Sequence, residues 1–241
     1  MKALLAIETS TPVARVGVYD LDTGACRARA SATSERHSSN LLRLCVEVAE
    51  QAGVAVASLA AIACGAGPGS FTGLRVGYAV AKGFAIPFDI PFLSVSSLQA
   101  LAWDLVPLAR AGERLWPCLD AGKGQVYLAP FEQGGEEPRN VERGGEDWVL
   151  APAELVAAGN PLVAGDAPIV FGGSGAVRYR AILEEGLAAR GRFVEVPGPS
   201  ADAVAAHAIQ RFKRGDVEDL SKAVPAYGRA PDITKPKRSG P

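Results

Sequence analysis

Three turns in this chain gather side chains that could handle a phosphorylated ligand. Glu8-Thr9-Ser10 ends an apolar run with one carboxylate and two hydroxyls. Asp120-Ala121-Gly122-Lys123-Gly124 ends a second apolar run with one carboxylate, a lysine and two glycines. Gly172-Gly173-Ser174-Gly175 stands before a stretch of helical pattern. Hydroxyls and glycine N–H groups bind phosphate, and a carboxylate orients magnesium or water. A glycine turn before a helix could take a ribose or a base. Glu8, Thr9, Ser10, Asp120, Gly172 and Gly173 are therefore candidate nucleotide-binding residues. Each turn is equally the tight turn that any α/β protein places between elements.

The longest glycine-rich stretch, Gly65 to Gly83, reads as strand exit, loop and helix. It is not a Walker A loop, because Gly69-Ser70-Phe71 has no lysine before the hydroxyl. It is not a dinucleotide fingerprint, because Thr72 stands where the third glycine belongs. Nor does Ser70 have the flanking glycines of a nucleophile elbow. The helix carries Gly73, Gly77 and Ala81 four apart, a strip on one face. Each glycine costs roughly 1 kcal/mol of helix propensity relative to alanine. Close approach of another backbone is the expected return, either the chain's own sheet or a partner.

The only histidines, His37 and His207, form no HExxH pair, so a helical zinc or iron site is not expected. Counting alone leaves a Ser-His-Asp triad open. Cys26, Cys45, Cys64 and Cys118 make no CxxC motif and read as buried free thiols of a cytoplasmic protein. No metal site and no catalytic residue is assigned.

The elements that must hold these turns follow an α/β pattern. Strands are expected at 2–7, 13–19 and 25–32, then a helix at 40–52 with a Leu41/Leu44/Cys45/Val48 stripe. A strand at 59–64, the glycine helix to about Pro87, a strand at 92–95 and a helix through Ala109 complete one cycle. A second cycle opens with strands at 114–119 and 125–131. A short helix at 152–158, strands at 161–164, 169–171 and 193–196, and helices at 176–189 and 200–214 complete the second. Glu8 and Asp120 hold matching places, as in a two-lobed nucleotide-binding fold.

With 241 residues, 48% of them hydrophobic, the chain has material for one large or two small cores. A net charge of −1 argues against this chain being the main grip on a nucleic acid. No apolar run approaches the ~20 residues of a membrane span, and the N-terminal run stops too early for a signal peptide.

Several segments together resemble the bacterial TsaB (YeaZ) family over essentially the whole chain. They are Leu5-Ala6-Ile7-Glu8-Thr9-Ser10, His37-Ser38, and Gly67-Pro68-Gly69-Ser70-Phe71-Thr72-Gly73-Leu74-Arg75 with Val76-Gly77 and Ala81-Lys82-Gly83. Leu119-Asp120-Ala121 with Gln125-Val126-Tyr127, and the tail Val224-Pro225-Ala226-Tyr227 with Arg229, complete the set. The resemblance implies an actin-like ASKHA fold of two related βββαβα-type lobes. These would be residues 1–109, joined by the helix at 200–215, and residues 110–199, with 216–241 a mostly irregular tail. It implies a scaffold in threonylcarbamoyladenosine synthesis at tRNA position 37, working with a TsaD-like paralogue and a TsaE-like ATPase. It implies a homodimer when alone, tRNA reached only through the complex, no required cofactor, and ATP or ADP at most at the complex interface.

By the same resemblance, the partner meets the first two helices. The candidate interface is Leu41, Leu44, Cys45, Val48, Phe71, Gly73, Leu74, Gly77, Tyr78 and Ala81. One departure stands out: Glu8 replaces the aspartate usual in that family, which shifts the carboxylate. The rival readings are an ASKHA kinase or ATPase acting on a small molecule through Glu8, Asp120 and the Gly172 loop, and a metallopeptidase.

Overall fold

The structure is a computed structural model that describes residues 2–33, 37–134 and 139–228, with side chains in α1 from Asn40 onward. Arg229 and the three prolines of the extreme tail, Pro231, Pro236 and Pro241, lie outside the described residues.

The strand β1 (Ala3–Glu8) is buried on both faces, as its unbroken apolar sequence demands. It pairs antiparallel with β2 (Val13–Asp20) and parallel with β4 (Ala61–Gly67). With β3 (Cys26–Thr33) and β5 (Phe92–Ser96) they form a five-stranded sheet in the order β3-β2-β1-β4-β5. Alternate residues of β1 serve opposite faces. Leu5 and Ile7 pack with α1 (His37–Gln51) and α2 (Phe71–Phe88). Leu4 and Ala6 pack with α7 (Ala201–Lys213), which returns from the end of the chain.

The second sheet repeats the plan. β6 (Arg114–Gly122) pairs antiparallel with β7 (Gln125–Leu128) and parallel with β11 (Ile169–Gly172). With β10 (Trp148–Leu150) and β12 (Gly191–Phe193) the order is β10-β7-β6-β11-β12, strand for strand that of the first sheet. The short strands β8 (Phe131–Gln133) and β9 (Val141–Arg143) extend it from β6. The helix α3 (Ser97–Leu105) puts Leu98, Leu101 and Leu105 into this second core, against Leu115, Leu119 and Val170.

Several boundaries differ from the sequence expectation. β4 runs on through Gly65 to Gly67, so the first glycines are strand, not loop. The segment at 161–164 is a 3₁₀ turn, because Asn160 caps it, accepting from the Leu162 N–H at 2.9 Å, and Pro161 fits its first position. Pro130 cannot donate to a ladder and divides one expected strand into β7 and β8. The helix expected at 176–189 is two short ones, α5 (Ser174–Arg178) and α6 (Arg180–Leu187). Between β10 and β11 lies the single helical turn α4 (Pro152–Leu155).

Candidate functional site

Glu8 ends the central strand of the first sheet, so its side chain points into the interior and is fully buried. Oε1 accepts the Ser10 N–H at 2.5 Å. Oε2 accepts the Ser97 hydroxyl at 3.0 Å, and that hydroxyl in turn accepts the Gly67 N–H at 3.2 Å. A side chain at Gly65 would overlap the Glu8 carboxylate. Burial pushes this carboxyl above its ordinary range, against the opposing pull of its Ser10 and Ser97 hydrogen bonds.

Thr9 and Ser10 are buried as well, and their hydroxyls find no hydrogen-bond partner among the described residues. The Ser10 carbonyl accepts the Ser70 N–H at 2.8 Å, which ties this turn to the N-cap of α2. The helix then lies across the turn. A Cβ at Gly73 would strike the Thr9 carbonyl, and one at Gly77 the Thr9 hydroxyl. The glycine strip therefore answers to the chain's own β1–β2 turn.

In the second sheet Asp120 is half-buried. Its Oδ1 accepts the Gly122 N–H at 3.0 Å and its Oδ2 accepts Arg178 Nη1 at 2.7 Å. The Asp120 N–H donates to the Ser174 hydroxyl at 3.1 Å, so the Asp120 turn and the Gly172 loop do meet. The loop is filled from within, however. Side chains at Gly172 and Gly173 would run into Leu105 and the Cys118 carbonyl. The six candidate nucleotide residues thus form two turns on different sheets, with the Thr9 and Ser10 hydroxyls of the first left without a partner among the described residues. A cavity of about 340 Å³, lined by Ala176, Val177, Phe193 and Val194, adjoins the Gly172–Gly175 loop, and one of about 380 Å³ lies beside Arg15 and Asp202. Among the described residues no three His, Cys, Asp or Glu side chains gather to hold a metal, and no helix is long and apolar enough to cross a membrane. His207 sits half-buried on α7, where burial lowers its pKa to about 4. The His37 side chain lies outside the described set.

The candidate interface residues occupy the inner side of the helix pair. Leu41, Cys45, Val48, Gly73, Leu74, Gly77, Tyr78 and Ala81 are buried in the chain itself, and Leu44 is half-buried. Only Phe71, 43% exposed, faces out. An apolar stripe at helical spacing reports burial but not against which surface, and here that surface is the first sheet. The outer side of α2 carries exposed apolar residues too, whereas α1 exposes Leu42 among Asn40, Arg43, Glu50 and Gln51. Leu42 on α1 is 50% exposed, and on α2 Ile86 is 66% and Phe88 50% exposed. Ala79 and Gly83 are also exposed between them, with open space over Gly83. The signal lay in α2 itself, whose 18 residues include only Arg75 and Lys82 as charges.

One group counts in the sequence only toward the resemblance, with no structural role assigned to it. Residues 223–228, within the stretch expected to be irregular tail, lie against both sheets. The Ala226 N–H donates to the Ala66 carbonyl at 2.8 Å. The Tyr227 ring sits 4.9 Å from that of Phe71, and its hydroxyl accepts Arg75 Nε at 3.1 Å. From the second sheet, the Tyr127 hydroxyl donates to the Tyr227 carbonyl at 3.2 Å.

Comparison with known proteins gives this geometry a relationship. The family model for TsaD, tRNA N6-adenosine threonylcarbamoyltransferase, matches residues 31–167. The tRNA threonylcarbamoyladenosine biosynthesis protein TsaB of Escherichia coli is 27% identical over 230 residues, covering 94% of each chain. A crystal structure from Pseudomonas aeruginosa, described as an uncharacterized protein with similarity to peptidase YeaZ, superposes with a TM-score of 0.77 at 29% identity. That match covers 95% of this chain and 100% of the other. Component A of the (R)-2-hydroxyglutaryl-CoA dehydratase of Acidaminococcus fermentans, at 13% identity and a TM-score of 0.51 over 89% of this chain and 99% of its own, shares the fold alone. The two sheets of identical strand order are thus a mixed α/β fold of the actin-like ASKHA superfamily, and the chain belongs to the bacterial TsaB/YeaZ family.

Proposed function

We propose that this chain is a non-catalytic scaffold in the synthesis of N6-threonylcarbamoyladenosine at tRNA position 37. In this reading it docks a TsaD-like transferase through the outer side of α1 and α2 and helps form the surface where a TsaE-like ATPase binds. The observation that carries the reading is the exposure of Ala79, Ile86 and Phe88 on α2 and of Leu42 on α1, helices whose inner side is already packed.

The TsaD family model covers the same helix pair in this chain, so two related chains can meet through equivalent faces in a near-twofold pairing. A second copy would meet the same face when the chain is alone. The Glu8 and Asp120 carboxylates, each held by a hydrogen bond within its own turn, support a role without catalysis by these two residues. Any ATP or ADP that the complex uses then belongs at its interface. The tRNA is reached through the complex, in keeping with a net charge of −1.

The test is reconstitution of threonylcarbamoyl transfer from a TsaD-like protein, a TsaE-like protein, tRNA and this chain. Omitting the chain is expected to abolish transfer, and undiminished transfer overturns the reading. Ile86→Glu is expected to keep the wild-type melting temperature and lose association with the TsaD-like protein by at least about tenfold, the scale of one apolar contact exchanged for a buried charge.

A further inference from the structure

We propose that residues 223–228 are a releasable strap that, together with the packing of α3, holds the two lobes in one relative orientation, and that the space Gly228 fills between Pro68 and Tyr127 opens when it lifts. The strap leaves the first core at Ala223, which is buried beside β5 and α2. Just before it, the Glu218 N–H donates to the Phe92 carbonyl at 3.0 Å, and Glu218 Oε1 accepts the Ser94 N–H at 2.8 Å. The chain is therefore anchored on the first lobe before it crosses.

It then runs past the end of β4, where the Ala226 N–H continues the ladder onto Ala66. A side chain at Gly67 would come 2.5 Å from the Ala226 carbonyl, so that glycine admits the strap's backbone. Phe71 and Arg75, at the start of α2, hold the Tyr227 ring by a tilted ring contact and a cation–π contact of 5.6 Å. On the far side Tyr127, in β7, donates to the Tyr227 carbonyl.

Gly228 closes the crossing. Its φ is +63°, and a Cβ there would lie 2.9 Å from both the Pro68 side chain and the Tyr127 ring. One residue is thus wedged between a turn of the first lobe and a ring of the second. The strap is also lightly held: Val224 is 70% exposed and Ala226 and Gly228 are exposed. Segments with few buried contacts open first. The strap thus joins one lobe to the other by contacts that can break while both cores stay intact.

The experiment places spin labels at exposed Ala57 in the first lobe and exposed Glu185 in the second, with the exposed Cys26 changed to serine. Pulsed distance measurement of the full chain is expected to give one narrow distribution. Gly228→Val would press on the Pro68 side chain and the Tyr127 ring, and is expected to broaden that distribution and move it to longer distances. A chain ending at Ala223 is expected to give the same broadening. An unchanged distribution in the shortened chain overturns the proposal. So does equal broadening in a chain ending at Gly228, which keeps the strap, because the lock would then lie beyond residue 228.

Discussion

The Glu8 turn and the Asp120 turn occupy the same topological place, and they end in opposite situations. β1 and β6 each pair antiparallel with the next strand and parallel with the returning one. Each ends near an acid with small residues after it. In the first lobe the acid turns inward, and an 18-residue helix seals the turn. In the second lobe the acid stays half-exposed and pairs with Arg178 on a helix of only five residues. The difference lies in the helix that leaves the returning strand. Gly65, Gly73 and Gly77 leave space that Glu8 and Thr9 fill. A short helix can lay no such cover over Asp120. Equal topology therefore fixes where an acid starts and not which way it points.

The sharpest way to break the contrast is to fill the first seal. Gly77→Leu forces a side chain into the Thr9 hydroxyl, and is expected to cost about 3 kcal/mol or more, as overpacking of a closed core does. Gly83→Leu, on the same helix but facing open space, is expected to leave the melting temperature unchanged or slightly raised. Thermal melts of the two variants decide it, and equal melting would mean that the glycine strip faces outward.

A smaller effect is expected at Glu8. Glu8→Gln leaves one of the two donors, the Ser10 N–H or the Ser97 hydroxyl, without a good acceptor, at about 1–3 kcal/mol. It should also alter the pH dependence. Burial raises the native pKa of Glu8, so the native state keeps a proton that the unfolded chain gives up near the ordinary value of 4.5. Stability from this group is full below that value and is lost as pH rises through the higher native one. Urea titrations across mildly acidic pH should therefore show a fall with rising pH in the wild type that Glu8→Gln removes. Asp104, pushed up from 3.8 to about 6 by burial, contributes a fall of the same sign. The comparison is cleanest with Asp104→Asn in both chains.

The smallest effect is expected at Asp120. Asp120→Asn weakens a pair whose arginine is 61% exposed, and such pairs contribute little. The expected result is no measurable change in melting temperature, and a large drop would show that the second turn is as sealed as the first.

Much of this fold is readable in the residues. The unbroken apolar run to Ile7 requires a central strand, and the repeat of strand, acid and strand at Asp120 marks the second sheet. The stripe of Leu41, Cys45 and Val48 locates the inner face of α1, yet the family resemblance assigns it to a partner. Periodicity gives a direction of burial without naming the neighbour, and α2, apolar nearly all round, has two faces that look alike in sequence. The turns are ambiguous for a related reason. Carboxylate, hydroxyl and glycine are the vocabulary of a phosphate loop and also of a tightly packed corner, and only the clearance at Gly65 and Gly173 separates the two. The strap is illegible because Ala226 is held by its backbone and Gly228 by the absence of a side chain, neither of which leaves a hydrophobic pattern.

The Glu8–Gly65 fit sets a rule for how this chain can drift. Each residue occupies room that the other leaves, so a methyl group at position 65 has nowhere to go while a glutamate stands at position 8. A shorter acid at position 8 would vacate that room and could not span the same reach to Ser97. Position 65 becomes tolerant of alanine only in that background. The two sites are thus bound to a joint history, and a substitution at either one is neutral or ruinous according to its companion.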